Sequence, residues 1–307
     1  MLFRSGEWLL EGAAPLMEML SSAVPGEIFP FFFTMELFQR ALLAALVVTV
    51  VSAVLGCFLL IRNMALIGDG LAHVSFGGVA VGVVLGATSP LWYALAFSIV
   101  ASVIIHELQE REILTGDTAI AIFLTGMLAF GLVALRLWGG GIRTDIEGYL
   151  FGNLLLIDAA SLDLICTIGL VALILLGLMR GGLLATAVDP VAARVQGIPV
   201  RQIGLVFSVL TAAVVVSMVQ VIGVLLVTAL LVTPAATAQL VGRSFRSCMA
   251  WAQVFGLTSV MVGLYFSAEL GTGSGSMIAL VSALLFAAVG TVTTVRKSIF
   301  LRSENMN

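Results

Sequence analysis

Apolar residues in this chain come in long unbroken runs, not in the one-faced or alternating patterns of water-exposed helices and strands. Each run is about 20 residues, which at about 1.5 Å per residue matches the roughly 30 Å hydrocarbon core of a bilayer. Because the runs are continuously apolar, they predict spanning helices and not barrel strands. Nine spans can be drawn, at roughly 37–61, 64–86, 90–107, 117–138, 161–179, 201–219, 220–241, 247–268 and 275–296. Only Ser217 and Gln220 interrupt the stretch holding the sixth and seventh, so eight spans is the other count that the pattern allows.

The polar residues between the runs set orientation and punctuation. With the C-terminus cytoplasmic, Arg62, Arg111, Arg180, Arg194, Arg201, Arg243, Arg246, Arg296, Lys297 and Arg302 fall inside. Arg4, Arg40, Arg136 and Arg143 fall on the other side, a bias of ten to four in the positive-inside sense. Nine spans then put the N-terminus outside. Residues 1–36 form a lead-in whose first part mixes Glu7, Glu11 and Glu18 with Trp8, Leu9, Leu10 and Leu16. That mixture predicts an amphipathic interfacial segment, stopped at Pro25–Gly26 and kinked at Pro15. Residues 37–296 form a single membrane domain and 297–307 a cytoplasmic tail. Two connections are long. The external one, Gly139–Ala160, carries Arg143, Asp145, Glu147 and Asp158 around a short apolar helix at Tyr149–Ile157. In the cytoplasmic one a short helix is expected near 187–198: Asp189 before Pro190 is a start signal, and Gly197 then Pro199 a stop. Such a helix is what a cytoplasmic partner would grip.

Composition agrees with the pattern, since 61% of the 307 residues are hydrophobic and 10% charged. A net charge of −3 with no basic stretch gives no reason to expect nucleic acid. Cys57, Cys166 and Cys248 show no metal or disulfide spacing and read as small buried hydrophobes. The chemistry concentrates in Arg62–Gly86. Asp69 and His73 stand four apart on one helix face, at membrane depth, where a carboxylate costs about 2.5–3.5 kcal/mol on insertion scales. Together they form a transient ligand pair for a divalent cation. The structural alternative is that Asp69 caps the helix or pairs with Arg62, and that His73 is an interior hydrogen-bonded side chain. Gly78, Gly82 and Gly86 make a packing stripe. Glu269 with Gly273 and Gly275 in GTGSGS is an external gate candidate, or an ordinary turn. His106, Glu107, Glu110 and Glu112 read as a solvated loop. No GxxxxGK[ST] occurs, so the chain has no P-loop ATPase of its own.

Four stretches together resemble the permeases of metal-importing ABC transporters, a family that handles zinc, manganese and iron. They are Arg62–Gly86, DIEGYLFGNLLL at Asp145–Leu156, VDPVAARVQGIPV from Val188, and VIGVLLVTALLVTPAATAQLV at Val221–Val241, in the family's order over about residues 37–296. The resemblance implies an all-α, type II importer permease in a prokaryotic inner membrane, in contact with lipid, working as a homodimer. Two cytoplasmic P-loop ATPase subunits would dock at Asp189, Ala193 and Gly197, and ATP would be hydrolysed there. An extracytoplasmic metal-binding protein would deliver manganese, zinc or ferrous iron as substrate, with no cofactor bound by this chain. Asp69 and His73 match the family's GD-xx-AH pattern and inherit its metal-path role. Zinc members often carry a histidine in the fourth span, where this chain has Thr125 or its neighbours. The alternatives are a permease for metal chelates or cobalamin-like cofactors, and a secondary transporter driven by an ion gradient.

Overall fold

In hydrocarbon a helix satisfies every backbone group within itself, and the apolar runs fold accordingly. The computed structural model of the protein describes residues 5–22, 24–87, 89–138, 149–150, 152 and 157–304, with side chains through Arg296. Among the described residues nine helical segments are long and apolar enough to cross a membrane, and no strand occurs. The first part of the chain forms α1 (Ser5–Ser21), α2 (Phe31–Thr34), α3 (Glu36–Ile61), α4 (Ile67–Val84), α5 (Leu91–Glu110) and α6 (Gly116–Trp138). It continues through α7 (Ala159–Val188), α8 (Pro190–Val195) and α9 (Val200–Ile222). A 3₁₀ turn at Val224–Leu226 precedes α10 (Val227–Leu231), α11 (Thr233–Val241), α12 (Phe245–Leu270) and α13 (Ser274–Glu304).

Helix α4 is at the centre of the bundle: 78% of its apolar stretch is buried, against 11% for α13 at the periphery. It packs chiefly on α5 and α6. Gly78 and Gly82 explain the contact with α5, because a Cβ at Gly78 would stand 2.6 Å from the Tyr93 carbonyl oxygen. Gly86 is not part of that stripe. It has nothing beside it and adopts φ +64° where the helix ends.

Several helices run past the bounds that the sequence suggests. The third span continues to Glu110, and the fifth is a 30-residue helix that ends only at Val188. At about 45 Å, α7 exceeds the bilayer core and projects beyond it. In the lead-in, α1 runs through Pro15, which does not end it, and buries Gly6, Leu10 and Met17. Asp163 of α7 accepts the Gly6 and Glu7 amides at 2.7 and 3.3 Å, so another helix's carboxylate caps the start of α1.

The sixth and seventh spans separate at Gly223, whose φ of +82° suits only glycine. The seventh is then broken into the 3₁₀ turn, α10 and α11, with Pro234 in the first turn of α11 where it withholds an amide. Neighbouring helices close round the break. Ser282 of α13 donates to the Ala229 carbonyl at 3.1 Å. On α3, Gly56 makes room for the Leu231 carbonyl oxygen, which would overlap any Cβ there. Gly56→Ala is therefore expected to cost about 1–3 kcal/mol and to lower the thermal midpoint in detergent. Gly126→Ala, with nothing within 4 Å of the new Cβ, serves as the control and should stay within about 0.5 kcal/mol.

Candidate ion path and coupling surface

Asp69 and His73 occupy the first half of α4 with the broken span packed beside them: Gly68 faces Leu231 and Val227. His73 Nδ1 lies 2.9 Å from the Asp69 backbone oxygen and 3.7 Å from Asp69 Oδ1. A carbonyl can only accept, so Nδ1 carries the proton and donates it, which leaves Nε2 with the free lone pair when the ring is neutral. Orienting one ring nitrogen through a backbone carbonyl is how proteins present the other to a metal. The His73 side chain is 8% exposed and that of Asp69 31%, so the pair runs from an enclosed imidazole to an accessible carboxylate. Arg62 does not pair with Asp69; its guanidinium lies over the Phe207 ring, 4.9 Å from the centroid. Among the described residues no group of three or more His, Cys, Asp or Glu could hold a metal. Thr125 on α6 is exposed and returns its hydroxyl to the Ala121 carbonyl at 2.8 Å.

A threonine in an apolar run carries no mark of a broken span, so the polar groups of the break are not legible from sequence. Thr228 Oγ1 is buried without a partner among the described residues. The available signals of the interruption are Gly223 and Pro234 inside one long apolar run.

At the end of the bundle from which α4 starts, Asp189 Oδ1 accepts the Val191 and Ala192 amides at 2.9 Å each, capping α8. Gly197, at φ +80°, ends the helix, and the Ile198 amide closes on the Ala193 carbonyl at 3.0 Å. Ala193 is buried, whereas Val188, Val191 and Val195 are 80%, 69% and 84% exposed. A short capped helix thus displays an apolar edge.

His106, Glu107 and Glu110 do not form a solvated loop. They are the last turn of α5, which goes on as a helix because the next elements supply partners for its polar side chains. His106 is buried, with Nε2 3.2 Å from the Arg201 carbonyl oxygen and its ring filling the space left by Gly204. The Arg201 guanidinium donates to both Glu107 oxygens at 2.9 Å. Arg111 donates to Glu107 at 2.7 Å, and Arg194 of α8 reaches Glu110 at 3.4 Å. Only Glu112 lies beyond the helix, with φ +55°.

On the opposite face, Glu269 accepts the amides of Glu27, Ile28 and Phe29 at 3.1, 2.9 and 2.9 Å, fastening the lead-in to the end of α12. Gly271 and Gly273 lie in the short turn between α12 and α13, while Gly275 is already helical. Arg4, Arg143, Asp145, Glu147 and most of Tyr149–Ile157 lie outside the described residues.

A bundle of membrane-length helices with an ionisable pair, Asp69 and His73, inside it fits the class of membrane permeases. Residues 34–293 match the family described as the ABC 3 transport family, and the chain belongs to it. The manganese transport system membrane protein MntC of Halalkalibacterium halodurans is 35% identical over 250 residues, covering 81% of this chain and 85% of the relative. The high-affinity zinc uptake system membrane protein ZnuB of Haemophilus influenzae is 32% identical over 251 residues, covering 82% and 95%. The solved structure of PsaBC from Streptococcus pneumoniae in complex with Fab superposes with TM-score 0.75 at 31% identity, over 85% of this chain and 93% of that one. A putative metal-chelate type ABC transporter in an inward-facing conformation, 16% identical with TM-score 0.72, shares the fold.

The cap on α8 makes a direct prediction. Asp189→Ala should cost about 1 kcal/mol and speed hydrogen exchange at Val191 and Ala192 by about fivefold, while Asp189→Asn keeps the cap and stays near wild type.

Proposed function

We propose that the chain is the permease subunit of an ATP-driven importer for a divalent transition metal, and that a homodimer of it forms the path. The Asp69 and His73 geometry carries this reading. One carboxylate and one oriented imidazole at membrane depth bind such an ion, and two donors release it again, as conduction requires. The donor set suits manganese, zinc and ferrous iron. Manganese is the first to test, because MntC carries that name and Thr125 or its neighbours stand where zinc members often have histidine.

In this reading the Asp189 face is cytoplasmic and the Glu269 face external, in an inner membrane. Two P-loop ATPase subunits grip the exposed valine edge of α8 around Asp189, Ala193 and Gly197. A metal-binding protein delivers the ion to the face where Glu269, Gly273 and Gly275 border the entrance. Closure of the ATPases displaces α8. Arg194 on Glu110, and Arg201 on Glu107 and His106, pass that displacement to α5, against which α4 packs.

The test is uptake of Mn²⁺ into proteoliposomes holding the chain with its ATPase partner, with and without ATP. Uptake should require ATP, and Asp69→Ala and His73→Ala should each reduce it about tenfold or more while the complex still assembles. Undiminished uptake in both variants sinks the path, and uptake by the chain alone without ATP points to a gradient-driven transporter.

A further inference from the structure

A groove of about 650 Å³ opens between α3, α7 and α12, at the end of the bundle that carries α8. Its walls are apolar, with Phe58 of α3, Leu176 of α7 and Met249 of α12 among them, and the Phe58 and Phe245 rings pack at its base, 5.0 Å between centroids. Gly177 and Gly181, one turn apart on α7, leave the slot open: a Cβ at either would meet nothing within 4 Å. Two arginines, Arg180 and Arg246, stand in the lining. Both are exposed, and among the described residues neither has an ion-pair partner.

The height of these arginines says what they meet. Arg180 is the first charged residue on α7 after Asp163, so an apolar run of about 24 Å separates the two. Arg246 is the second residue of α12, at the start of that helix's own apolar run. Both therefore stand at the edge of the hydrocarbon core, the level of lipid phosphates. The amino end of α12, capped by Ser244 on the Ser247 amide at 3.2 Å, adds a positive helix terminus at the same level. An apolar slot below, opening onto two unpaired guanidinium groups at phosphate depth, is complementary to one molecule that has both parts.

We propose that this groove is a binding site for a phospholipid with an anionic headgroup. One acyl chain lies in the slot over Gly177 and Gly181, and the headgroup phosphate accepts hydrogen bonds from Arg180 and Arg246. The lipid fills the gap between α3 and α12 on one side and α7 on the other, and so stiffens the helix that leads directly into α8.

The full-length chain, delipidated in detergent, can be titrated with phosphatidylglycerol, phosphatidylcholine or glycerol 3-phosphate. Native mass spectrometry reads retention and the thermal midpoint reads stabilisation. Phosphatidylglycerol should be retained at about tenfold lower concentration than phosphatidylcholine, and Arg180→Gln with Arg246→Gln should erase that preference. Gly177→Leu, whose Cβ meets nothing within 4 Å, puts a side chain into the slot, so it should lower retention of both lipids without lowering the lipid-free midpoint. It also decides the matter if the arginine variant fails to fold. Equal retention of the two lipids by wild type overturns the proposal, as does equal stabilisation by glycerol 3-phosphate. Gly177→Leu breaking self-association or ATPase binding with lipid retention unaltered overturns it too, in favour of a protein in the groove.

Discussion

A peptide group in the hydrocarbon core has no water to fall back on, and leaving one unpaired costs several kcal/mol. Regular helices avoid that cost at every position, so irregular backbone at membrane depth must be enclosed by protein. The seventh span is irregular in that way. Its turn at Gly223, its 3₁₀ segment and the joint before Pro234 are lined by Val224, Val227 and Leu231, each fully buried. Gly56 admits the Leu231 carbonyl from the α3 side, and Ser282 donates to Ala229 from the α13 side. Helix α4 closes the remaining side through Gly68, one residue before Asp69. Asp69 and His73 are thus held against a span whose backbone is not regular.

What could be read in advance follows from the range of the forces involved. Span existence depends on local apolar length, and each of the nine drawn runs corresponds to a membrane-length segment, the seventh of them broken. The punctuation of α8 is local too, since Asp189 caps amides two and three residues away. Asp69 and His73 were legible because two polar side chains four apart in an apolar helix are costly wherever they point. The turn of α5 that holds His106 was misread for the opposite reason: its partner, the Arg201 carbonyl, is 95 residues away. Polar residues at the end of an apolar run look alike whether they meet water or another helix. Gly223 was hidden because small residues in apolar runs usually serve packing, as Gly78 and Gly82 do here.

The contacts around α8 have a consequence for how motion crosses this fold. Exposed ion pairs are worth only about 0–1 kcal/mol each, and the Arg201 and Arg111 side chains are both 65% exposed. The exposed ion pairs alone are therefore a weak link between α8 and α5. Buried contacts add to them: Ala193 of α8 is enclosed, and between α5 and α9 the His106 ring sits where Gly204 has no side chain, with Nε2 on the carbonyl of the same Arg201 whose guanidinium holds Glu107. Gripping one residue by both its backbone and its side chain fixes the register of α9 on α5. Because α5 packs along α4 through Gly78 and Gly82, with almost no side-chain volume between the backbones, the two helices meet in the kind of close-packed contact that passes strain on with little absorbed between them.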